Sequence, residues 1–319
     1  MDKTRCGFIA IAGEPNAGKS TLINRLAGGK VSIVTPKAQT TRFNVRGVCV
    51  EGDAQMIFVD TPGIFAAEKN FEKAMVQAAW SGIGDADAAL LLVDARKGLR
   101  DSTVRLIEKL RSSTSLLSEA GGGKAAHDAP SPTLRGKGIY LALNKIDTID
   151  KTTLFELAKA CDAFGIFKRI FMISALKGDG VGDVKKHLAA AVPEGAWLYP
   201  EDQMSDIPLR LLAAEVTREK IFLKLEQELP YAAFVETEAW EETDTFVKIS
   251  QVIVVQREGQ KKIIIGDKGA MIKNIGIASR RELEKMLGKR IHLALFVKVR
   301  AGWKDDIESY RALGLEYRK

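Results

Sequence analysis

Runs of consecutive hydrophobic residues alternate with amphipathic stretches over residues 1–192. Uninterrupted hydrophobic runs are typical of strands that are buried on both faces of a parallel sheet, and the stretches between them have helical spacing. We therefore predict an α/β fold with a doubly wound, mainly parallel sheet. The predicted strands are FIAIAG, VRGVCVEG, AQMIFVDT, AALLLVDA, IYLALNK and RIFMISA, and the predicted helices lie near 19–28, 70–82, 101–111, 151–164 and 181–191.

The pattern changes after residue 192. The stretch 192–208 contains three prolines and four acidic residues, and we interpret 193–207 as a linker. Residues 208–319 then predict a smaller α+β domain with a C-terminal extension. Its predicted elements are a helix in LRLLAAEVTREKIFLKLEQEL, strands in YAAFVETEAW and FVKISQVIVVQ, a helix near 278–288 and a last strand in RIHLALFVKVR.

Residues 112–138 interrupt the first pattern, because they are rich in Ser, Gly, Pro and Ala and show little hydrophobic periodicity. We interpret them as a mobile surface insertion between a helix and a strand. A loop that binds a partner is the alternative. The insertion leaves the candidate chemistry unchanged, since that chemistry is expected at the carboxyl ends of the strands.

Composition narrows the class of protein without deciding it. With 46% hydrophobic residues, the 319-residue chain can bury a sizeable core, and its formal net charge of +7 is compatible with a polyanionic partner. Cys6, Cys49 and Cys161 form no CxxC pair, which favours a reduced intracellular setting. The N-terminal hydrophobic run is too short for a secretory signal, and no run approaches the length of a membrane span. We expect a soluble protein.

The first candidate site lies at GEPNAGKST, where the first strand meets the first helix. Gly13, Gly18, Lys19 and Ser20 satisfy G-x-x-x-x-G-K-[ST] in the strand–loop–helix context that this motif requires. Glycines let backbone N–H groups close around phosphates, and the helix adds the positive end of its dipole. We expect Lys19 to reach the β- and γ-phosphates and the Ser20 hydroxyl to coordinate Mg²⁺. The alternative is a glycine-rich turn with a chance lysine.

Three further motifs, each at the end of a predicted strand, make a glycine-rich turn with a chance lysine implausible. VDTPG places Asp60 to hold the shell of the magnesium ion and the Gly63 amide to bond a γ-phosphate. In NKID, Asp147 can accept hydrogen bonds from guanine N1–H and N2–H₂, a donor pair that adenine lacks. In SALKG, backbone N–H groups near Ala175 can donate to guanine O6. The predicted GTP contacts are Gly13, Glu14, Pro15, Asn16, Ala17, Gly18, Lys19, Ser20, Thr21, Asp60, Thr61, Pro62, Gly63, Ile64, Asn144, Lys145, Asp147, Ser174, Ala175 and Leu176.

These motifs together resemble the translation-factor-related class of P-loop GTPases over residues 5–192. The resemblance implies Mg²⁺ as a cofactor and places KAQTTRFNVRG in the first switch. It also implies that Thr41 closes onto Mg²⁺ and the γ-phosphate, with Thr40 as the alternative. The catalytic residues would be Lys19, Thr41 and Gly63, and the magnesium ligands would be Ser20, Thr41 and Asp60.

Two positions sharpen the expected mechanism. Ile64 follows the D-x-x-G motif where Ras-like enzymes carry the glutamine that orients the attacking water, so we expect slow intrinsic hydrolysis. Asn16 matches the asparagine that potassium-activated relatives use as an ion ligand. A K⁺ ion there would supply positive charge in place of an arginine finger. The alternative is that Asn16 only stabilises the loop.

The second candidate site is the GDKG sequence at Gly266–Gly269. G-x-x-G alone is uninformative, but here it lies in I-I-G-x-x-G-x-x-I, after two predicted strands and before helices and a third strand. This arrangement resembles the KH domain over about 208–300, in the type II form in which a helix precedes the first strand. The resemblance implies that the loop clamps the backbone of single-stranded RNA.

Charge is segregated in the same region. From residue 257 to residue 304 basic residues outnumber acidic ones by thirteen to four, whereas residues 226–246 contain seven acidic residues and no Lys or Arg. A solvated helix explains single basic residues but not this segregation, which indicates a basic face for phosphates. We interpret two of the predicted contacts, Ile265 and Ile272, as core or base-cradle residues, with core preferred. The predicted RNA contacts are Ile265, Gly266, Asp267, Lys268, Gly269, Ile272, Lys273, Arg280 and Arg281.

The order of the two parts, with KAQTTR, DTPGIF and AGWKDD, resembles the bacterial Era family of GTPases over essentially the whole chain. The resemblance implies binding to the 3′ end of 16S ribosomal RNA and action in assembly of the small (30S) subunit. It further implies a monomer in the cytoplasm with partial, peripheral association with the inner membrane. As a mechanism we expect a switch, in which GTP orders TTRFN and the segment after DTPG and so changes how the KH surface is presented.

Two alternatives stay open at this point. One is a tRNA-modifying GTPase, although such relatives carry a C-terminal cysteine and no cysteine follows Cys161 here. The other is an RNA-binding module that holds its nucleotide without hydrolysing it, an idea that Ile64 favours.

Overall fold

The computed structural model describes residues 4–37, 40–65, 70–114, 137–226 and 229–303. The chain forms two compact units. Among the described residues, the first contains those up to Val31 and from Thr41 to Asp206, and the second contains Ser32–Thr40 and those from Ile207 to Trp303. Residues 115–136 of the predicted insertion and residues 304–319 of the predicted C-terminal extension lie outside the described residues.

The sheet of the first unit has six strands in its described part: β1 (Arg5–Gly13), β2 (Val45–Glu51), β3 (Ala54–Asp60), β4 (Ala88–Asp94), β5 (Gly138–Asn144) and β6 (Arg169–Ile173). Their order is β2-β3-β1-β4-β5-β6. Only the β2–β3 pair among these is antiparallel. Every residue of β3, β4 and β5 is buried, as their continuous hydrophobic sequences require. The predicted mainly parallel sheet is confirmed.

Helices cover both faces of this sheet: α1 (Lys19–Ala27), α2 (Asn70–Asp85), α3 (Asp101–Thr114), α4 (Lys151–Asp162) and α5 (Val181–Ala191). Leu22 of α1 and Leu188 of α5 belong to the hydrophobic cluster on one face. Trp80, Ile107 and Leu157 bring α2, α3 and α4 into the cluster on the other. Because α3 runs to Thr114, the region predicted as an insertion begins later than residue 112. No helix in the described part of the chain is long and apolar enough to cross a membrane.

The predicted linker at 193–207 packs against the first unit. The Cys6 N–H donates to the Pro193 carbonyl at 3.0 Å, and the Val48 N–H donates to the Met204 carbonyl at 2.8 Å. Gln55 Oε1 accepts from the backbone N–H of Tyr199 at 3.0 Å. These bonds fix the segment to β1, β2 and β3, so the first unit extends to Asp206 instead of ending at residue 192.

The second unit contains α6 (Leu209–Lys224), α7 (Leu229–Ala232), β7 (Phe234–Glu242), β8 (Phe246–Val255), α8 (Glu258–Ile265), α9 (Ala270–Leu287) and β9 (Arg290–Val299). Its sheet has the order β7-β8-β9, with β7 antiparallel and β9 parallel to β8. Ile221, Ile253, Ile264 and Ile275 belong to a hydrophobic cluster that joins the helices to the sheet. Trp303 stacks on Phe234 and donates to the Ala232 carbonyl at 2.9 Å.

Two helix predictions in this unit were wrong at one end, and one helix was missed. The first helix ends at Lys224, because Leu225 is extended, and does not reach Leu229. The sequence KKIII belongs to α8, although its run of β-branched residues favours a strand. Helix α9 begins at Ala270, eight residues before the predicted start near 278. Burial of Ile264 and Ile275 in the shared core stabilises both helices despite weak local propensity.

The segment Ser32–Thr40 lies in the second unit although it is far from the rest of that unit in sequence. The Val34 N–H donates to Glu219 Oε1 at 2.9 Å. The Arg218 guanidinium donates to the Thr40 carbonyl and is fully buried. Helix α6 therefore holds this segment by its backbone, one residue before the chain returns to the first unit.

Candidate functional site

The loop between β1 and α1 requires glycine at a defined place. Gly18 has φ of +102°, and a Cβ there would lie 2.3 Å from Asn144 Nδ2. The same amide group donates to the Ala17 carbonyl at 2.7 Å, so Asn144 supports the loop from behind. The close approach explains why the motif needs glycine before Lys19.

Lys19 lies over the loop and is buried. Its Nζ donates to the carbonyls of Gly13 and Glu14, both at 3.0 Å. Burial lowers the pKa of Lys19 to about 8, against the opposing effect of Asp60 and Glu14. A desolvated ammonium group that is bonded only to carbonyls is well suited to bind an anion such as phosphate.

Three oxygen atoms converge beside Lys19. Asp60 Oδ2 accepts from Ser20 Oγ at 2.8 Å and from Thr41 Oγ1 at 3.2 Å, and the two hydroxyls lie 3.0 Å apart. Carboxylate and hydroxyl oxygens are hard ligands of the kind that Mg²⁺ prefers, so the donor set fits this ion. Thr40 does not join the cluster, because its hydroxyl bonds Thr35 at 2.7 Å.

The segment after Asp60 approaches the loop closely. A Cβ at Gly63 would lie 2.9 Å from the Pro15 side chain, so glycine is needed for this approach. The Ile64 N–H donates to the Gly13 carbonyl at 3.3 Å. The Ile64 side chain packs against the hydrophobic cluster of α2 to α4 and provides no polar atom to a water molecule.

On the other side of the loop, Asn144 joins two segments that are distant in sequence. Besides its bond to Ala17, its Oδ1 accepts from the Ala175 N–H at 2.9 Å and from the Lys145 N–H at 2.8 Å. The predicted guanine-binding sequences NKID and SALKG are therefore fixed to each other and to the phosphate loop through one buried side chain.

Asp147 lies in a single 3₁₀ turn, Ile146–Thr148, directly after Lys145. A hydrogen bond from the Ser174 hydroxyl lowers the pKa of Asp147. Lys177 Nζ lies 3.7 Å from Asp147 Oδ2 and favours the same ionised form. An ionised carboxylate held in this way can accept two N–H donors from a guanine edge.

Two residues of this region were missed in the sequence. Arg25 on α1 donates to the carbonyl of Ala175 at 3.3 Å and to that of Leu176, and so supports the SALKG loop. Asp94 accepts from Lys145 Nζ at 2.6 Å. A lone arginine on a helix gives no signal in a sequence, but Asp94 is the last residue of a buried strand, where ligands of such sheets are expected.

The GDKG loop of the second unit combines three residues of positive φ: Gly266 at +73°, Lys268 at +47° and Gly269 at +79°. A Cβ at Gly266 would lie 2.7 Å from that of Met271. The Lys268 side chain is exposed, and the loop leads directly into the N-terminus of α9. N–H groups in the first turn of a helix have no partner within the helix and favour phosphate.

A groove of about 310 Å³ follows this loop along α9 and β9. The preferred assignment of Ile265 and Ile272 to the core was wrong, because both are only half-buried and the core positions are Ile264 and Ile275. Arg281 is exposed outside the groove. The lining residues are Ile272, Lys273, Gly276, Ile277, Arg280, Leu293 and Leu295.

Two family models match the chain in the order of the two units. A model described as 50S ribosome-binding GTPase matches residues 8–118. A KH domain model matches residues 228–304.

Relatives cover nearly the full chain. GTPase Era of Brucella suis biovar 1 is 49% identical over 316 residues, which are 99% of this chain and 94% of the Brucella protein. GTPase Era of Afipia carboxidovorans is 49% identical over 317 residues, with 99% and 96% covered. The chain belongs to the Era family of GTPases.

Solved Era structures agree with both units. A substituted Aquifex aeolicus Era bound to GDP and AlF₄⁻ has a TM-score of 0.86 and 36% identity, covering 98% of this chain and 99% of that one. Era in complex with MgGDPNP and nucleotides 1506–1542 of 16S ribosomal RNA has a TM-score of 0.85 at the same identity and coverage. The predicted P-loop GTPase followed by a KH domain is confirmed, and membership of the Era family excludes the tRNA-modifying alternative.

Proposed function

We propose that this GTPase is a switch that binds 16S ribosomal RNA near its 3′ end through the KH domain and acts in assembly of the small (30S) subunit. The observation that carries the proposal is the open groove beside the GDKG loop, lined by Lys273 and Arg280, in a chain that also holds a guanine-nucleotide site. The complex of a relative with the 3′ nucleotides of 16S ribosomal RNA supports the choice of ligand.

In the proposed catalytic site, Lys19 exchanges its two carbonyl partners for the β- and γ-phosphates of GTP. The oxygens of Ser20, Thr41 and Asp60 would hold Mg²⁺, which neutralises charge on the phosphates when it is bound. The Gly63 N–H would donate to a γ-phosphate oxygen. Asp147 would accept from the guanine edge, and the Ala175 N–H would face guanine O6.

We expect slow intrinsic hydrolysis because Ile64 offers no group to orient water. K⁺ at Asn16 would supply the missing positive charge. Turnover should then be faster in KCl than in NaCl, and Asn16→Ala should remove the difference while GDP still binds. Equal rates in the two salts would show that potassium plays no part. Absence of turnover in both salts, with and without RNA, would favour the alternative of a pure binding module.

For RNA, we expect the GDKG loop and the start of α9 to hold the phosphate backbone of a single strand. Lys268, Lys273, Arg280 and Arg281 are all exposed and would bind phosphates. Ile272 lines the groove and would contact a base.

The chain itself suggests how the nucleotide and the KH domain are coupled. Thr41 belongs to the oxygen cluster that would hold Mg²⁺, whereas the preceding residue, Thr40, belongs to the segment that α6 holds. GTP would order Thr41 and pull on this segment, and hydrolysis would release it. We further expect a monomer in the cytoplasm with peripheral attachment to the inner membrane, which cell fractionation and light scattering test.

The deciding experiment crosslinks the protein in its GTP-analogue-loaded form to total cellular RNA and sequences the attached fragments. Enrichment of 16S 3′ ends is expected, and a random spread of transcripts would overturn the RNA assignment. A variant with Lys268→Ala and Lys273→Ala should lose the enrichment. Lys159→Ala, an exposed lysine on α4, is the matched control.

A further inference from the structure

Asp94 ends β4 directly beside the guanine-binding sequence NKID. It pairs in register with Asn144 on β5, and the next N–H, that of Ala95, donates to the Asn144 carbonyl at 2.9 Å. The Asp94 side chain is only 3% exposed. The backbone therefore fixes a buried carboxylate at the carboxyl edge of the sheet.

This carboxylate holds Lys145. Lys145 Nζ donates to Asp94 Oδ2 at 2.6 Å and to the carbonyl of Asn16 in the phosphate loop at 2.7 Å. Burial disfavours the charged form of Asp94, but hydrogen bonds from Lys145 and Arg96 outweigh it and lower the pKa of the carboxyl. The lysine thus bridges β4 and the phosphate loop with both of its acceptors fixed.

The backbone of Lys145 adds to this constraint. Its φ is +69°, in the left-handed region, and its N–H donates to Asn144 Oδ1. With the backbone and Nζ both held, the four-carbon stem between them has few conformations left. Lys145 is one of the predicted GTP contacts, and in the proposed site its stem would lie along one edge of the guanine ring.

The geometry points to Asp94 as a positioning residue that keeps Lys145 across the phosphate loop and so slows the release of guanine nucleotides. This inference rests on the proposed assignment of the guanine pocket. Without the carboxylate, Lys145 Nζ would keep one neutral acceptor, and its side chain, already 26% exposed, would gain freedom. Most differences in affinity between related complexes lie in the dissociation rate, so we expect the effect of a looser Lys145 there.

Asp94 has a second partner, Arg96. This partner makes it possible to test whether Asp94 acts by positioning Lys145 or only by neutralising positive charge. Arg96 Nη2 lies 3.4 Å from Asp94 Oδ2, and the Arg96 N–H donates to Oδ1 at 3.1 Å. The Arg96 side chain is 51% exposed. Arg96→Ala removes this charge but leaves the bond to Lys145, so we expect nucleotide release to change by less than about twofold.

The test measures release of a fluorescent GDP analogue from the full chain after addition of excess GDP. We expect Asp94→Asn to speed release about tenfold. The effect should not add to that of Lys145→Met, so the double variant should match Lys145→Met alone. Asp53→Asn, an exposed aspartate in the β2–β3 turn, is the matched control, and thermal unfolding checks each variant.

The outcomes distinguish two assignments, the positioning role of Asp94 and the location of the guanine pocket. Multiplying effects in the double variant would overturn the inference, since Asp94 would then act without Lys145. The same holds if Lys145→Met speeds release and Asp94→Asn does not. If Lys145→Met itself changes release by less than twofold, the bonds of Lys145 Nζ do not slow release and the inference falls, while the guanine pocket is tested separately by Asp147→Asn. Should Asp94→Asn fail to fold, Asp94→Glu, which displaces the carboxylate but keeps its charge, takes its place in the cycle.

Discussion

The proposed nucleotide site and the proposed RNA-binding groove are built in opposite ways. In the first unit, Lys19, Asp60 and Asn144 are buried, and Lys19 and Asn144 are bonded to the backbone of neighbouring segments. In the second unit, the groove residues Lys273 and Arg280 are exposed on one helix. A preorganised site depends on each atom, whereas an exposed basic surface depends on summed charge. We therefore expect single substitutions in the nucleotide site to remove most of the affinity for nucleotide. Single substitutions in the groove should weaken RNA binding only partly.

The largest effect is expected from Gly18→Ala. Its Cβ would meet Asn144 Nδ2 at 2.3 Å in a backbone conformation that alanine rarely adopts. We expect affinity for GDP to fall about 1,000-fold, because the strain adds to the displacement of Asn144. Titration calorimetry measures it. Gly28→Ala is the control, since Gly28 also has a positive φ, +76°, but nothing lies within 4 Å of the added Cβ. Equal reductions in both variants would show that strain alone matters.

Asp147→Asn should change which base is bound. An amide in place of the carboxylate cannot accept both guanine donors, so we expect affinity for GDP to fall about 100-fold. Xanthosine diphosphate, which carries an oxygen at C2, should gain affinity for the variant. Competition of the two nucleotides for wild type and variant gives the ratio directly. A parallel decrease for both nucleotides would contradict the assigned role of Asp147.

Lys19 should make nucleotide binding dependent on pH. Its pKa of about 8 without nucleotide will rise when phosphates approach, so binding takes up a proton above that pH. The sign follows, because deprotonation of the free protein weakens binding as pH rises. We expect affinity for GDP to fall about threefold from pH 7.5 to 8.5.

Calorimetry of GDP binding at pH 8.5, in two buffers with different heats of ionisation, should show an uptake of about 0.8 proton. Lys19→Arg keeps its charge throughout this range and should show none. No uptake by the wild-type protein would mean that Lys19 is already charged at pH 8.5.

The smallest effects are expected in the groove. Lys273→Ala should weaken binding of a 16S 3′-end oligoribonucleotide about threefold, and the salt slope should decrease by about 0.7 for each phosphate that the variant no longer binds. Fluorescence anisotropy over a range of KCl concentrations measures both quantities. Lys159→Ala on α4 should change neither. A weakening in Lys273→Ala that is independent of salt would indicate a specific interaction instead of summed charge.

The features that the sequence predicts correctly are those that depend on local patterns and fixed spacings. The strands were predicted closely because continuous hydrophobic runs have few other solutions. The turn from β1 into α1 was predicted because its glycines and lysine have a fixed spacing. Helix α9 was predicted eight residues too short, since Asn274 and Gly276 weaken its first turns and only burial of Ile275 stabilises them. The α8 helix was missed for a related reason, because KKIII has the composition of a strand.

Contacts between distant segments could not be predicted from spacing. Arg25 reaches carbonyls about 150 positions away, and Asp94 on β4 reaches Lys145 at the end of the neighbouring strand β5. Neither residue belongs to a motif, so only the folded sheet brings them to the site. The extension of the first unit to Asp206 likewise depends on backbone hydrogen bonds between distant segments. The prolines of this stretch instead favoured the prediction of a linker.

Cutting the chain between its two units would change the first unit as well as remove the second. A truncated chain that stops before Ile207 would still carry Ser32–Thr40 but would lack Glu219 and Arg218, which bond Val34 and Thr40. In the isolated first unit, the segment Ser32–Thr40 would therefore lack the bonds that restrain it in the full chain. Rates measured on such a fragment would describe a different molecule from the intact enzyme.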